Sequence, residues 1–169
     1  MITALPCHEF SAEALYAKAY IHWEDQDFKE SVEAFQMLIR RFPKQELAPA
    51  SYLCIGSVYL EQAQTEFQNP DILALAQINA KKFQRDFPKD ENLCEAEEMV
   101  QAIKEFYCRG LWETGQFYER IERPAASAIY YASAIRQFPD TAFANCCRYR
   151  LSVVAETCEE VELCEFSAS

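Results

Sequence analysis

Residues 111–139 read LWETGQFYERIERPAASAIYYASAIRQFP, and this stretch decides the fold. Leu111, Gly115 and Tyr118 are spaced four and three apart, which places them on one face of a helix. Arg123-Pro124 then breaks the chain, because proline cannot continue a helix and biases the residue before it away from helical geometry. Past the break, Ser127, Tyr131 and Ala134 repeat the four-three spacing until Phe138-Pro139 ends the segment. Gly115, Ser127 and Ala134 are small enough for two helices to approach closely, and Tyr118 and Tyr131 fill the remaining volume. The stretch predicts an antiparallel helical hairpin.

Two more Phe-Pro pairs, Phe42-Pro43 and Phe87-Pro88, close amphipathic segments in the same way. Upstream of the first, Leu15, Ala19, Ser31, Phe35 and Leu38 fit the hairpin pattern, with His22 where a large aromatic is usual. Upstream of the second, Leu60, Phe67, Ala76, Ala80 and Phe83 sit in register and Gln64 takes the small-residue position. The pattern resembles the tetratricopeptide repeat, an antiparallel helix pair of about 34 residues. The prolines at 43, 88 and 139 are spaced more widely than that, so extended helices or an insertion must intervene. The expected fold is all-α: about three and a half tetratricopeptide-like hairpins stacked as an α-solenoid. The stretch from Glu91 to Ile121 forms one shared helix, with Gly110 and Gly115 as its weak points. A single domain is expected over residues 8–158, with flexible ends at 1–7 and 159–169.

With the repeats in register, two stretches resemble the BamD family of outer-membrane assembly lipoproteins. One is Leu15-Tyr16-Ala17-Lys18-Ala19 followed by the helix from Phe28 to Phe42-Pro43. The more specific one is Phe117-Tyr118-Glu119-Arg120, then Pro124-Ala125-Ala126 through Tyr130-Tyr131, ending in Phe138-Pro139-Asp140-Thr141. Together they cover most of residues 11–155. The resemblance implies a periplasmic, outer-membrane-associated scaffold without catalytic activity. Its partners would be a barrel-forming BamA-like protein, docked mainly by the C-terminal repeats, and unfolded outer-membrane proteins, met mainly by the N-terminal ones. Family members carry a lipid on an N-terminal cysteine, so attachment to the membrane would be through that anchor alone. Cys7 follows Ala4-Leu5-Pro6, and Met1–Pro6 lacks the charged start and apolar run of a secretory signal, so the chain reads as a trimmed mature form.

Composition agrees with a soluble binding protein. The 169 residues carry a net charge of −11, which argues against nucleic acid, whose phosphates would be repelled. No apolar run approaches the length needed to span a bilayer. Arg40-Arg41, Lys81-Lys82-Arg85 and Arg136 cluster where helices end. Cations there complement the negative helix terminus, and a basic docking patch is the alternative reading.

Eight cysteines invite metal or redox chemistry, yet there is no Cys-x-x-Cys, and the two histidines, His8 and His22, are far apart. Cys54, Cys94 and Cys108 lie in amphipathic segments and read as small packing residues. Cys146-Cys147, Cys158 and Cys164 read as the more exposed thiols, free to pair in an oxidising compartment. No cofactor or metal is expected. Glu95, Glu97, Glu98, Asp25 and Asp27 read as solvated surface, as does the acidic tail from Glu156 to Glu165. Trp112 follows the packed Leu111, and Tyr130 precedes the packed Tyr131, so both are expected to point away from their own hairpin's seam, either as partner-binding residues or packed against the next hairpin. Two other readings stand beside the assembly subunit: a periplasmic tetratricopeptide adaptor of envelope constriction, and a cysteine-based redox or metal protein.

Overall fold

The computed structural model describes the backbone of residues 9–66 and 69–167 and the side chains of 12–66 and 69–155. The expectations for Cys7, His8, Phe67, Cys158, Cys164 and the acidic side chains from Glu156 onward lie outside the described residues. Among the described residues every regular element is a helix: α1 (Glu9–Glu24), α2 (Phe28–Arg41), α3 (Leu47–Thr65), α4 (Pro70–Asp86), α5 (Leu93–Arg120), α6 (Pro124–Gln137) and α7 (Ala142–Ser167). The chain divides into two compact units, residues 1–102 and 103–169, with the boundary inside α5.

The three Phe-Pro pairs end their helices in one conformation. Phe42, Phe87 and Phe138 all have φ near −130° and ψ near +60°, and each donates its backbone N–H to the carbonyl four residues earlier. Proline excludes helical geometry from the residue before it, so the phenylalanine swings out of the helix. Phe42 and Phe138 turn their rings into the core, and Phe87 is half-buried against Tyr52 and Phe83. Pro70 and Pro124 open α4 and α6 at positions where the missing N–H costs nothing.

The turns that join α1 to α2 and α5 to α6 also match. Gln26 and Glu122 take positive φ, 63° and 58°. Asp27 N–H bonds the His22 carbonyl at 2.8 Å, and Arg123 N–H bonds that of Tyr118 at 2.9 Å. These are Schellman-type closures, and neither uses the glycine that such a position favours.

In the first unit, α1 packs on α2 and α3, α2 on α3, and α3 on α4. Tyr16 meets Cys54 and Trp23 meets Glu61, both across 38 residues. A constant separation means that α1 and α3 run parallel, one hairpin laid on the next. Phe35, Leu38 and Ala19 are fully buried in the first hairpin, as the spacing predicts.

The second Phe-Pro hairpin differs from expectation. Gln64 is exposed at the end of α3, and the buried stripe is Tyr52, Ile55, Gly56, Tyr59 and Ala63, beginning about two turns earlier. The small position is Gly56, where a Cβ would lie 2.7 Å from Met99 Sδ. The expected register failed because it extended α3 past Thr65, whereas Asn69-Pro70 already starts the next helix.

In the second unit, α6 packs on α7, and Tyr131 and Ala134 of α6 are fully buried. Glu105 of α5 accepts the Ala142 N–H at 2.7 Å, and Thr141 Oγ accepts that of Ala144 at 3.2 Å, so the start of α7 is capped from two sides.

Candidate functional site

The first unit carries a groove of about 650 Å³ between α2, α3 and α4. Its floor combines Tyr52 and Tyr59 of α3 with Ile39 of α2. Leu75 and Ile78 of α4 also line it and are 45% and 48% exposed, a substantial apolar surface left to solvent. Asn79 is buried in the wall, where its side-chain amide donates to the Tyr52 carbonyl at 2.8 Å and fixes the spacing of α3 and α4.

Charge in the groove runs against that of the chain. Arg40, Lys82 and Arg85 face Asp86 as the one acidic lining residue. Asp86 is already engaged: Arg85 Nε lies at 2.7 Å and the Tyr52 hydroxyl donates to it at 2.7 Å. Arg85 first, and Tyr52 second, hold the Asp86 carboxyl below its ordinary pKa. Arg40 and Lys82 make no ion pair among the described residues. On a protein of net charge −11, this is a local cationic, half-apolar channel. Such a lining suits an extended segment with alternating apolar groups and an acidic end, held by Coulomb attraction and apolar burial. The basic residues gather here because α2 and α4, the second helices of successive hairpins, both bring their C-terminal turns to the groove. From the sequence these cations read as helix-end residues or as a basic docking patch, and their placement at helix ends is also what collects them in the groove.

The two aromatics expected to bind a partner lie in the second unit, in different settings. Trp112 is half-buried against Phe143 of α7, with ring centroids 5.4 Å apart, and its buried indole N–H has no hydrogen-bond partner. Tyr130 stacks on Tyr118 at 5.2 Å with an interplanar angle of 11°. It therefore lies on its own hairpin rather than pointing away from it. Phe117, Ile121 and Ile129 around that end of the hairpin are exposed. Spacing alone missed the Tyr118–Tyr130 stack, because each ring sits at the edge of its helix face and the two meet only once the helices are paired.

A part-buried polar network ties the helices of this unit together. Glu119 accepts hydrogen bonds from the Tyr131 hydroxyl at 2.7 Å and from the Arg150 guanidinium, joining α5, α6 and α7. Burial pushes the Glu119 carboxyl up, but Arg150 and Tyr131 together outweigh it and hold the group below its ordinary value.

Two cysteine expectations are reversed. Cys94, read as packing, is exposed near the start of α5, and Cys147, read as exposed, is fully buried. Cys94 falls on the polar side of the first turn of α5. Cys147 follows buried Ala144 by three residues on one face of α7, and Cys146 beside it points to solvent. Cys54 and Cys108 are buried as expected, Cys54 with its thiol 3.3 Å from the Tyr16 hydroxyl. His22 is half-buried, with Nδ1 3.7 Å from Asp27. Among the described residues no group of three metal-ligating side chains converges, and no helix is long and apolar enough to cross a membrane.

No curated protein matches the chain. The model of a family described as YfiO, outer membrane lipoprotein, matches residues 3–157 and so spans both units. The chain belongs to the YfiO family of outer membrane lipoproteins.

Proposed function

We propose that this chain is a BamD-like, non-catalytic subunit that works at the periplasmic face of the outer membrane and assists the insertion of β-barrel proteins. The observation that carries the reading is the family match over residues 3–157. In this reading the helices are tetratricopeptide-type repeats and the two units divide the work. The groove of the first unit takes extended segments of unfolded barrel substrates: Leu75 and Ile78 supply apolar contact, while Arg40 and Lys82 supply charge. The second unit docks a BamA-like partner through Tyr130, at the aromatic end of its hairpin, and through Trp112, which lies farther back on α5 against Phe143.

The test is binding of the purified chain to the periplasmic region of a BamA-like protein, and separately to a synthetic peptide from the terminal strand of a barrel protein. Expected are a stable complex with the former and salt-sensitive binding of the latter. Charge reversal at Arg40 and Lys82 should weaken the peptide alone. Absence of both interactions would reject the assembly reading and favour an adaptor of another envelope process.

A further inference from the structure

In the groove between α2, α3 and α4 one anion sits among cations. Asp86, the last residue of α4, is gripped at two points by Arg85: Nε donates to Oδ1 at 2.7 Å and Nη2 to Oδ2 at 3.2 Å. Oδ2 also accepts the Tyr52 hydroxyl of α3 at 2.7 Å. Adjacent residues of a helix normally face apart, so Arg85 has folded back to make this contact. Tyr52 is held in place, its ring buried, stacked on Phe83 at 5.4 Å and edged by Phe87. A guanidinium fork and a fixed phenol donor that converge on one point are a donor set for a carboxylate. The chain fills that point with its own.

We propose that Arg85 and Tyr52 form a carboxylate subsite of the groove and that Asp86 is its tethered competitor, displaced when an acidic side chain of a bound segment takes its place. The inference rests on the reading of the groove as a site for extended segments, and it adds which residues meet the acidic group and what opposes it.

Exposure permits the exchange. Arg85 is 71% exposed and Asp86 32%, so both side chains turn toward water without opening the core, while Tyr52 stays where it is. Arg85 first, and Tyr52 second, hold the Asp86 carboxyl below its ordinary pKa, so near neutral pH the subsite is filled by an anion. An incoming carboxylate replaces one ion pair by another and gains little net attraction from Arg85. Arg40 and Lys82, which make no ion pair among the described residues, attract it without such competition. Asp86 thereby keeps the groove's hold on acidic segments loose.

The experiment titrates the full chain and its variants with a short synthetic peptide, blocked at both ends, that alternates leucine with polar residues and carries one glutamate. Asp86→Ala vacates the subsite and should raise affinity on the order of tenfold, the usual effect of a hydrogen-bonded charge. Asp86→Asn leaves an amide in the subsite and should gain less. Tyr52→Phe should cancel most of the gain of either variant while changing little in the otherwise unaltered chain, whose Tyr52 is already occupied by Asp86. A peptide with glutamine in place of glutamate should show no gain. Thermal midpoints check that each variant folds, and Asp86→Asn keeps the test open should Asp86→Ala not fold. Equal gains in the two Asp86 variants that survive Tyr52→Phe would mean attraction by net charge alone and overturn the proposal, as would unchanged affinity in both. Absence of peptide binding by the unaltered chain and by every variant would instead remove the groove reading on which the proposal stands.

Discussion

The ring of Tyr131 fills the space that Gly115 leaves empty. A Cβ built on Gly115 would lie 2.8 Å from Cδ1 and 2.9 Å from Cζ of that ring, and nearer still to Cε1. Tyr131 is fully buried, and its hydroxyl is held by Glu119, so the ring has little room to retreat. Gly115→Leu should therefore overpack the seam between α5 and α6 and cost about 1–3 kcal/mol or more, read as a lower denaturant midpoint at unchanged slope. Gly115→Ala should also be destabilising. An unchanged midpoint in both would mean that the two helices separate freely at this contact.

The turn residues predict the opposite sign of effect. Glu122 is exposed and holds φ at 58°, a conformation that crowds Cβ against the backbone. Glu122→Gly removes that strain while adding flexibility to the unfolded chain, for a net stabilisation of about 0.5–1 kcal/mol. Gln26→Gly should behave alike, since its turn closes with the same hydrogen bonds. Thermal midpoints of the two variants check this, and a drop in both would show that the side chains themselves support the turns.

These two cases show what was legible in the sequence. The hairpin of Gly115 and Tyr131 follows from four-three spacing plus a proline stop, because helix periodicity and proline geometry are local rules. The middle hairpin was misread because two small-residue registers were available in α3. Only the neighbouring Met99 and the early stop before Pro70 select Gly56 over Gln64. The groove was not legible as a site. Arg40 and Lys82 are 42 positions apart in sequence, and they meet only because the hairpins repeat in space. Cys94 and Cys147 were exchanged because which face of a helix is covered depends on the neighbouring helices, and the sequence does not name them.

Trp112 and Tyr130 should separate in a mutational test. Trp112→Ala removes a half-buried ring from Phe143 and should cost about 1–3 kcal/mol of stability, so a loss of partner binding in that variant would be ambiguous. Tyr130→Ala gives up one stacked pair with Tyr118, worth about 0.5–1.5 kcal/mol, and should leave the fold intact. If the hairpin end is the docking surface, Tyr130→Ala lowers affinity for a BamA-like partner more than tenfold at an unchanged circular dichroism spectrum. Full affinity in a folded Tyr130→Ala protein would exclude this residue from the interface.

Alkaline pH should unfold the protein through its buried protonated groups. Burial, followed by the Glu119 hydrogen bond, pushes the Tyr131 hydroxyl up to about 12, and burial likewise raises the Cys147 thiol to about 12. Tyr52 and Tyr16 are shifted in the same direction, chiefly by burial. In the unfolded chain a cysteine ionises near about 8.5 and a tyrosine near about 10, so that state releases its protons first. Folded pKa values above the unfolded ones mean stability that is complete below about pH 8.5 and is lost progressively as the pH climbs toward 12. Urea midpoints measured from neutral pH upward should fall across that window, first with the onset of cysteine ionisation and more steeply above pH 10. Cys147→Ala should reduce the early part of the decline, the rest of it coming from Cys108, which burial also raises, and Tyr131→Phe should flatten the later part. A midpoint that holds constant through pH 11 would mean that neither group is shielded from water as its burial requires.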